Sequence, residues 1–192
     1  MTQEKAPVPL QAPSNPIFTI GHSNGSPHQI IQLLQDNQID LLVDVRSSPY
    51  SRFAAQFNKA EIEYLLKKSG IKYHYLGDKL GGRPTDPTCY KVGVVPQGHA
   101  DYLNLVDYPA VMTKDFFLEG IQQVLGLAQS ARVCLMCSEE DPAQCHRHHL
   151  IGRFLIGQGA EVLHIRHDGY LIKDQHLPVL TNDSNIEQLG LF

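Results

Sequence analysis

Short apolar runs alternate with helical patterns along most of this chain, and that alternation restricts the fold more than any other feature. Ile17–Ile20 (IFTI) is a compact apolar run that stops at Gly21, and Asp40–Arg46 (DLLVDVR) is nearly continuous in apolar residues. Ile71–Leu76 (IKYHYL), Ala131–Cys137 (ARVCLMC) and Glu161–Ile165 (EVLHI) follow as further strand candidates. Strands of the DLLVDVR kind are buried on both faces, as in a parallel sheet. Between them lie helical patterns. Ser26–Pro27 reads as a cap with a first-turn proline, ahead of an apolar stripe of Ile30, Ile31, Leu33 and Leu34. Asn58 with Glu61 resembles a capping box before Ile62, Leu65 and Leu66, and Gly70 ends that helix. Thr113–Gln129 carries Phe116, Phe117, Ile121, Val124 and Leu125 on one face, and Asp141–Pro142 predicts a helix reaching about Gly157. The expected fold is α/β and three-layered, a mainly parallel sheet with helices on both faces.

A chain of 192 residues suits one such domain. The reading divides it into a Pro-rich flexible leader at 1–15, a single α/β domain at 16–180 and a loose polar tail at 181–192. The stretch from Gly77 to about Pro109 is rich in Gly, Pro and Asp. It is too long for a plain connection and predicts a functional excursion with some local helix. No run approaches the roughly 20 apolar residues of a membrane span, and the start lacks the basic and apolar regions of a secretory signal. Four cysteines are too few for a disulfide scaffold, so they read as reduced thiols in a cytoplasmic protein. A net charge of −4 disfavours a broad duplex-binding surface but leaves room for a local basic pocket.

In open α/β sheets, ligands sit beyond the carboxyl ends of the strands. The segments directly after the first four predicted strands are GHSNG, DVRSSPYSR, LGDKLGGRP and CSEEDPAQCHR. All four are expected to meet at one rim. They bring His22 and Ser23 from the first, Asp44, Arg46, Ser48, Ser51 and Arg52 from the second, and Arg83 from the third. Cys137, Glu139, Cys145, His146 and Arg147 come from the fourth. Arginines and serines in this number suit an anion pocket, with Glu139 or Asp44 as acid/base and a thiol as nucleophile. No Walker, dinucleotide or nucleophile-elbow motif occurs, so the sequence names no cofactor.

Two readings of the thiols stay open. Cys137 ends a strand before a loop and helix, the place of the nucleophile in rhodanese-like folds. Glu139, Glu140 and Asp141 follow it, and negative charge raises a thiol's pKa and repels an oxyanion. A buried structural cysteine is the competing reading. On an α-helix starting at Pro142, Arg147 falls on the apolar stripe and points inward, toward Asp44 or Glu139 as an ion-pair partner. Cys145 then points outward or sideways, and His148 and His149 read as surface residues. A metal cage could draw on Cys137, Cys145, His146, His148 and His149. Against it, Cys134 and Cys137 should face opposite sides of their strand, and no second C-x-x-C follows.

TIGHSN, DVRSSPYSRF, GIKYHYLGDKLGGRP and CLMCSEEDPAQCHR together resemble the domain of unknown function 488 family, from about Thr19 to Ile165. The resemblance implies a compact α/β domain with His22, Ser23, Asp44, Arg46, Pro49, Ser51, Arg52, Cys137, Glu139, Cys145, His146 and Arg147 as signature positions. It implies no activity. Three functions compete: an enzyme acting on an anionic, nucleotide-like or nucleic-acid substrate; a nucleotide or single-strand binding module using Tyr50, Phe53, Tyr73, Tyr75 and Tyr90 as stacking surfaces; and a zinc-stabilised structural domain. No membrane and no particular protein partner is indicated.

Overall fold

The structure, a computed structural model, describes residues 12–98 and 100–180. Most of the leader and the whole predicted tail lie outside this range. Six strands form one sheet: β1 (Ile17–Gly21), β2 (Leu41–Asp44), β3 (Lys72–Tyr75), β4 (Val133–Cys137), β5 (Val162–Ile165) and β6 (Leu171–Lys173). Their order is β3-β2-β4-β1-β5-β6, parallel except for β6, which pairs antiparallel with β5. Every residue of β1, β2 and β4 is buried. That is why these runs are apolar without alternation: both faces of the sheet are covered.

One face carries α1 (Pro27–Asp36) and α2 (Lys59–Lys68). Ile30, Leu34, Ile62 and Leu66 pack there against Phe18, Ile20, Leu42 and Met136. The other face carries α3 (Gly77–Leu80), α5 (Tyr108–Met112), α6 (Asp115–Ala128) and α7 (Arg153–Gly157), and a short α4 (Tyr102–Leu105) lies at its margin. Leu80, Val111, Phe117, Ile121, Val124 and Leu155 close over Ile17, Val43, Val133, Leu135 and Val162. Full burial of each such side chain stabilises by roughly 1.5–3 kcal/mol, so the alternating strand residues fasten both helical layers to one sheet. This is the three-layer α/β fold.

The hydrophobic stripes of α1, α2 and α6 fall where the sequence puts them, but two details differ. Asn58 precedes α2 without capping it, because its Oδ1 instead accepts the backbone N–H of Ser51 at 2.7 Å. β6 had no sequence signal, being three residues long; Gly169 at φ 86° makes the turn that returns it to β5.

The larger departure is after β4. No α-helix begins at Pro142. Asp141 caps a single 3-10 turn over Pro142–Gln144, and Cys145 is extended at φ −142°, ψ 142°. A π-helical segment then runs from Arg147 to Gly152 and passes into α7. A π turn advances fewer degrees per residue than an α turn, so three successive side chains can face inward. Arg147, His148 and His149 are all buried, and so is Cys145. The expected surface positions of Cys145, His148 and His149 are thereby corrected, because the α-helical angle on which they rested does not apply.

From β1 the chain crosses over β4 to reach β2, with α1 on one face. From β4 it crosses the other way over β1 to β5, with α7 on the opposite face. The two crossovers part at the carboxyl ends of β1 and β4, which is where a cleft opens in such sheets.

Candidate functional site

A cavity of about 620 Å³ opens at that rim, within the usual size for small-molecule sites. Its walls come from the loops after β2 and β4, from Gly82–Arg83, and from the 100–108 stretch of the excursion. Three of the four polar segments expected at one rim therefore line one cavity. The fourth, after β1, joins from behind through His22.

Asp44 and Arg46 lie at the end of β2. The fully buried Asp44 carboxylate accepts from Arg46 Nε at 2.9 Å and Nη2 at 2.6 Å, and from Tyr73 Oη at 2.8 Å. Arg46 Nη1 donates to His22 Nε2 at 3.1 Å, and His22 Nδ1–H donates to the Ser23 carbonyl at 2.7 Å. The ring is stacked on Phe57 at 4.3 Å. Burial lowers the pKa of His22, and the neighbouring Arg46 charge adds to this. His22 is thus a neutral acceptor that orients Arg46, and Ser23 contributes its backbone. Arg46 retains edges toward the cavity.

Ser47, Ser48, Arg52 and Arg83 line the walls. Ser47 Oγ accepts the Arg83 backbone N–H at 2.9 Å. Ser51 is less free, because its Oγ receives the N–H groups of Phe53 and Ala54 at 3.1 and 3.3 Å. Arg83 lies over the Tyr102 ring at 4.5 Å, and Arg52 over Phe53 at 6.0 Å. The Gly81–Gly82 pair has a packing role. A side chain at Gly82 would collide with the His146 ring, and one at Gly81 with Ser47.

The floor holds the thiols. His146 Nδ1 lies 3.6 Å from Cys137 Sγ and 3.7 Å from Cys145 Sγ, and its Nε2–H donates to the Val45 carbonyl at 3.2 Å. That second contact fixes the ring and leaves Nδ1 facing sulfur. Cys137 is 6% exposed and Cys145 2%. Hydrogen bonding from Cys145 holds the Cys137 thiol well below its ordinary pKa, helped by the charges of His146 and Arg147 and outweighing burial. Burial would lower His146, but the charge of Cys137, its hydrogen bond and the Val45 carbonyl raise it. Burial pushes the thiols of Cys145, Cys134 and Cys89 up. Among the four cysteines, Cys137 is the one whose pKa is drawn down, and its sulfur faces His146 Nδ1.

The acidic loop does not act as the sequence suggested. Glu140 is turned away and held bidentate by Arg166 at 2.8 and 2.9 Å. Asp141 caps the 3-10 turn through the Ala143 N–H at 3.0 Å. Only Glu139 lines the cavity. Arg147 points inward as expected, but its partners are not the carboxylates of Asp44 or Glu139. Its guanidinium donates to the backbone carbonyls of Glu139 and Glu140. It is fully buried beneath the loop, and does not line the cavity. Gly21 makes room for this: a Cβ there would strike the Glu139 carbonyl and Arg147.

The model of a domain of unknown function, DUF488, matches residues 26–154. The chain belongs to the DUF488 family. His22 and Ser23 stand just before the matched range, and all other candidate residues fall inside it. No curated protein and no solved structure matches the chain significantly. The rhodanese-like likeness of the Cys–loop–helix segment therefore gains no support. Among the described residues, no helix is long and apolar enough to cross a membrane.

Tyr102, Tyr108, Ser138 and Gln144 also line the cavity and were not foreseen. The two tyrosines belong to the weakly periodic excursion, where nothing in the sequence marks which side chains turn inward.

Proposed function

We propose that this DUF488 protein is a cysteine-dependent enzyme acting on an anionic, phosphate-bearing substrate of nucleotide or nucleic-acid type. Cys137 is the nucleophile. His146 stabilises the thiolate and returns a proton to the leaving group. Arg46, oriented by Asp44 and His22, receives the anion together with Arg83, Arg52 and Ser48, and Glu139 is the carboxylate available for acid/base work. Arg147 and Cys145 are positioning residues, the first holding the loop under Cys137 and the second hydrogen-bonding its sulfur. The observation carrying this reading is a single depressed thiol at the floor of an arginine-walled cavity, facing an imidazole whose other nitrogen is tied to the main chain. Reduced thiols suit a cytoplasmic setting.

The test is iodoacetamide labelling against pH, followed by mass mapping. The reading expects Cys137 alone to be alkylated, with a midpoint below the ordinary thiol value of about 8.5, and protection by nucleotide or inorganic phosphate. Labelling that begins only above that value, or that spreads evenly over the four cysteines, overturns it.

A second reading, a non-catalytic nucleotide or single-strand binder, is favoured by the rim aromatics. Tyr50 and Phe53 are 68% and 83% exposed beside Arg52. Salt-sensitive oligonucleotide binding that is unchanged in Cys137→Ser, with the nucleic acid recovered intact, would favour it.

A further inference from the structure

One residue beyond Arg147 the chain builds a second polar cluster, on the far side of the segment from the cavity. His148 on the π-helical segment, His164 on β5 and Asp174 just after β6 have fully buried side chains. Asp174 Oδ1 lies 2.8 Å from His148 Nδ1 and 2.9 Å from His164 Nε2. The outer nitrogens are also engaged. His148 Nε2 lies 3.1 Å from the Pro178 carbonyl, and His164 Nδ1 lies 2.6 Å from Thr19 Oγ1. The second carboxylate oxygen, Asp174 Oδ2, is buried with no hydrogen-bond partner among the described residues.

The geometry sets a problem of charge. A carbonyl can only accept, so His148 Nε2 carries the proton that points at Pro178. A neutral His148 then has a lone pair on Nδ1 aimed at a carboxylate oxygen. Two acceptors at 2.8 Å need a positive species between them. Either a second proton or a metal ion supplies it. Several features favour the metal. One is the unpartnered Oδ2, which a proton on His148 leaves unsatisfied at a cost and which a bidentate carboxylate would use. The donor spacing is another. One ligand atom each of His148, His164 and Asp174 lies within 4.8 Å of the other two, so the three can converge on a single ion. A third is the outer contact of His148, since metal-bound imidazoles characteristically give their other N–H to a carbonyl or carboxylate. Finally, Gly152 leaves space where a side chain would collide with Asp174 Oδ1, and the π segment turns His148 inward. π-bulges recur at functional sites.

We propose that His148, His164 and Asp174 form a buried site for a divalent first-row transition cation of the zinc class. The ion is held by two imidazoles and both oxygens of one carboxylate, and it ties β5, β6 and the π segment together behind the thiol pocket. This inference stands independently of the chemistry proposed for Cys137.

The test uses the full chain, purified with its affinity tag removed. Elemental analysis should find about one equivalent of metal. Chelation followed by reconstitution with Zn²⁺ should raise Tm by about 5 °C or more. Substituting Co²⁺ should give ligand-field bands without the intense thiolate-to-cobalt charge-transfer absorption that Cys137 or Cys145 ligation would produce. The C137S/C145S double variant should keep the metal, and Asp174→Asn should lose it. Absence of stoichiometric metal, with no rise in Tm on adding Zn²⁺, Co²⁺ or Mn²⁺, overturns the proposal and assigns the cluster to a protonated His148. So does a thiolate charge-transfer band that vanishes in C137S/C145S. If Asp174→Asn fails to fold, metal content and the cobalt spectrum of the unaltered protein still decide.

Discussion

Two polar clusters flank Arg147 in the chain, and they differ in one respect above all. Cys137, Cys145 and His146 lie at the floor of an open cavity of about 620 Å³, whereas His148, His164 and Asp174 are sealed from solvent. Both gather nitrogen, sulfur or oxygen donors within 4.8 Å of one another. At the open cluster, the proposed thiolate–imidazolium pair can exchange protons with a ligand or water. At the sealed cluster no solvent relieves an unbalanced charge, so the carboxylate must be neutralised by something built in. The contrast teaches that donor type alone does not assign a role; access to solvent does.

The largest effect expected is at the sealed cluster. Asp174→Ala leaves two buried imidazoles without their carboxylate, and disrupting a buried charged pair costs about 3–5 kcal/mol. Denaturant melts should show this loss while Cys137 in the folded fraction keeps its low alkylation midpoint. If that midpoint rises in parallel, the two clusters are one unit and the contrast fails. Next comes Gly21→Ala, which forces a methyl into the Glu139 carbonyl and Arg147. Overpacking of this kind costs about 1–3 kcal/mol, and displacement of the loop should also slow Cys137 alkylation.

His146→Gln sharpens the comparison at the open cluster. Loss of the imidazole should raise the Cys137 pKa and slow its labelling at pH 6.5. The sign of the pH dependence follows from the two shifts. The Cys137 pKa is depressed, so its stabilising contribution is present above the unfolded thiol value and is lost as pH falls through the folded one. The His146 pKa is raised, so its contribution is full below about 6.5 and is lost as pH rises through its folded value. Turnover using both groups should therefore follow a bell, with an acid limb from Cys137 and an alkaline limb from His146. A pH profile lacking an acid limb would remove the thiolate from the mechanism. The smallest effect belongs to Glu139→Gln: its side chain is exposed and its structural bond is through the carbonyl, so stability should change by no more than about 0.5 kcal/mol. A larger drop in Tm would mean that the carboxylate, too, holds the loop.

Sequence by itself determined the layers of this protein and the side on which its reactive residues gather. Continuous apolar runs such as DLLVDVR suit central parallel strands buried on both faces, and parallel strands place the segments that follow them at one edge. Hence Asp44, Arg46, Cys137 and His146 were legible as neighbours, although about 90 residues separate the pairs. Arg147 does point inward as expected, but the α-helical stripe behind that expectation is absent: the whole π segment from Arg147 to Gly152 is buried. What only the tertiary structure decided was local and angular. The turn at Pro142–Gln144, the extended Cys145 and the π segment at Arg147–Gly152 break the 100° step on which facing is read, so Cys145, His148 and His149 turn inward instead of out. The partner of each charge was equally hidden. Glu140 belongs to Arg166, Arg147 to two carbonyls and His148 to Asp174, and each pairing depends on distance through space between elements that periodicity along one segment cannot register. The surroundings of Cys137 were hidden for the same reason: Glu140 and Asp141 are engaged by Arg166 and the Ala143 N–H, and an imidazole nine residues away is brought to its sulfur.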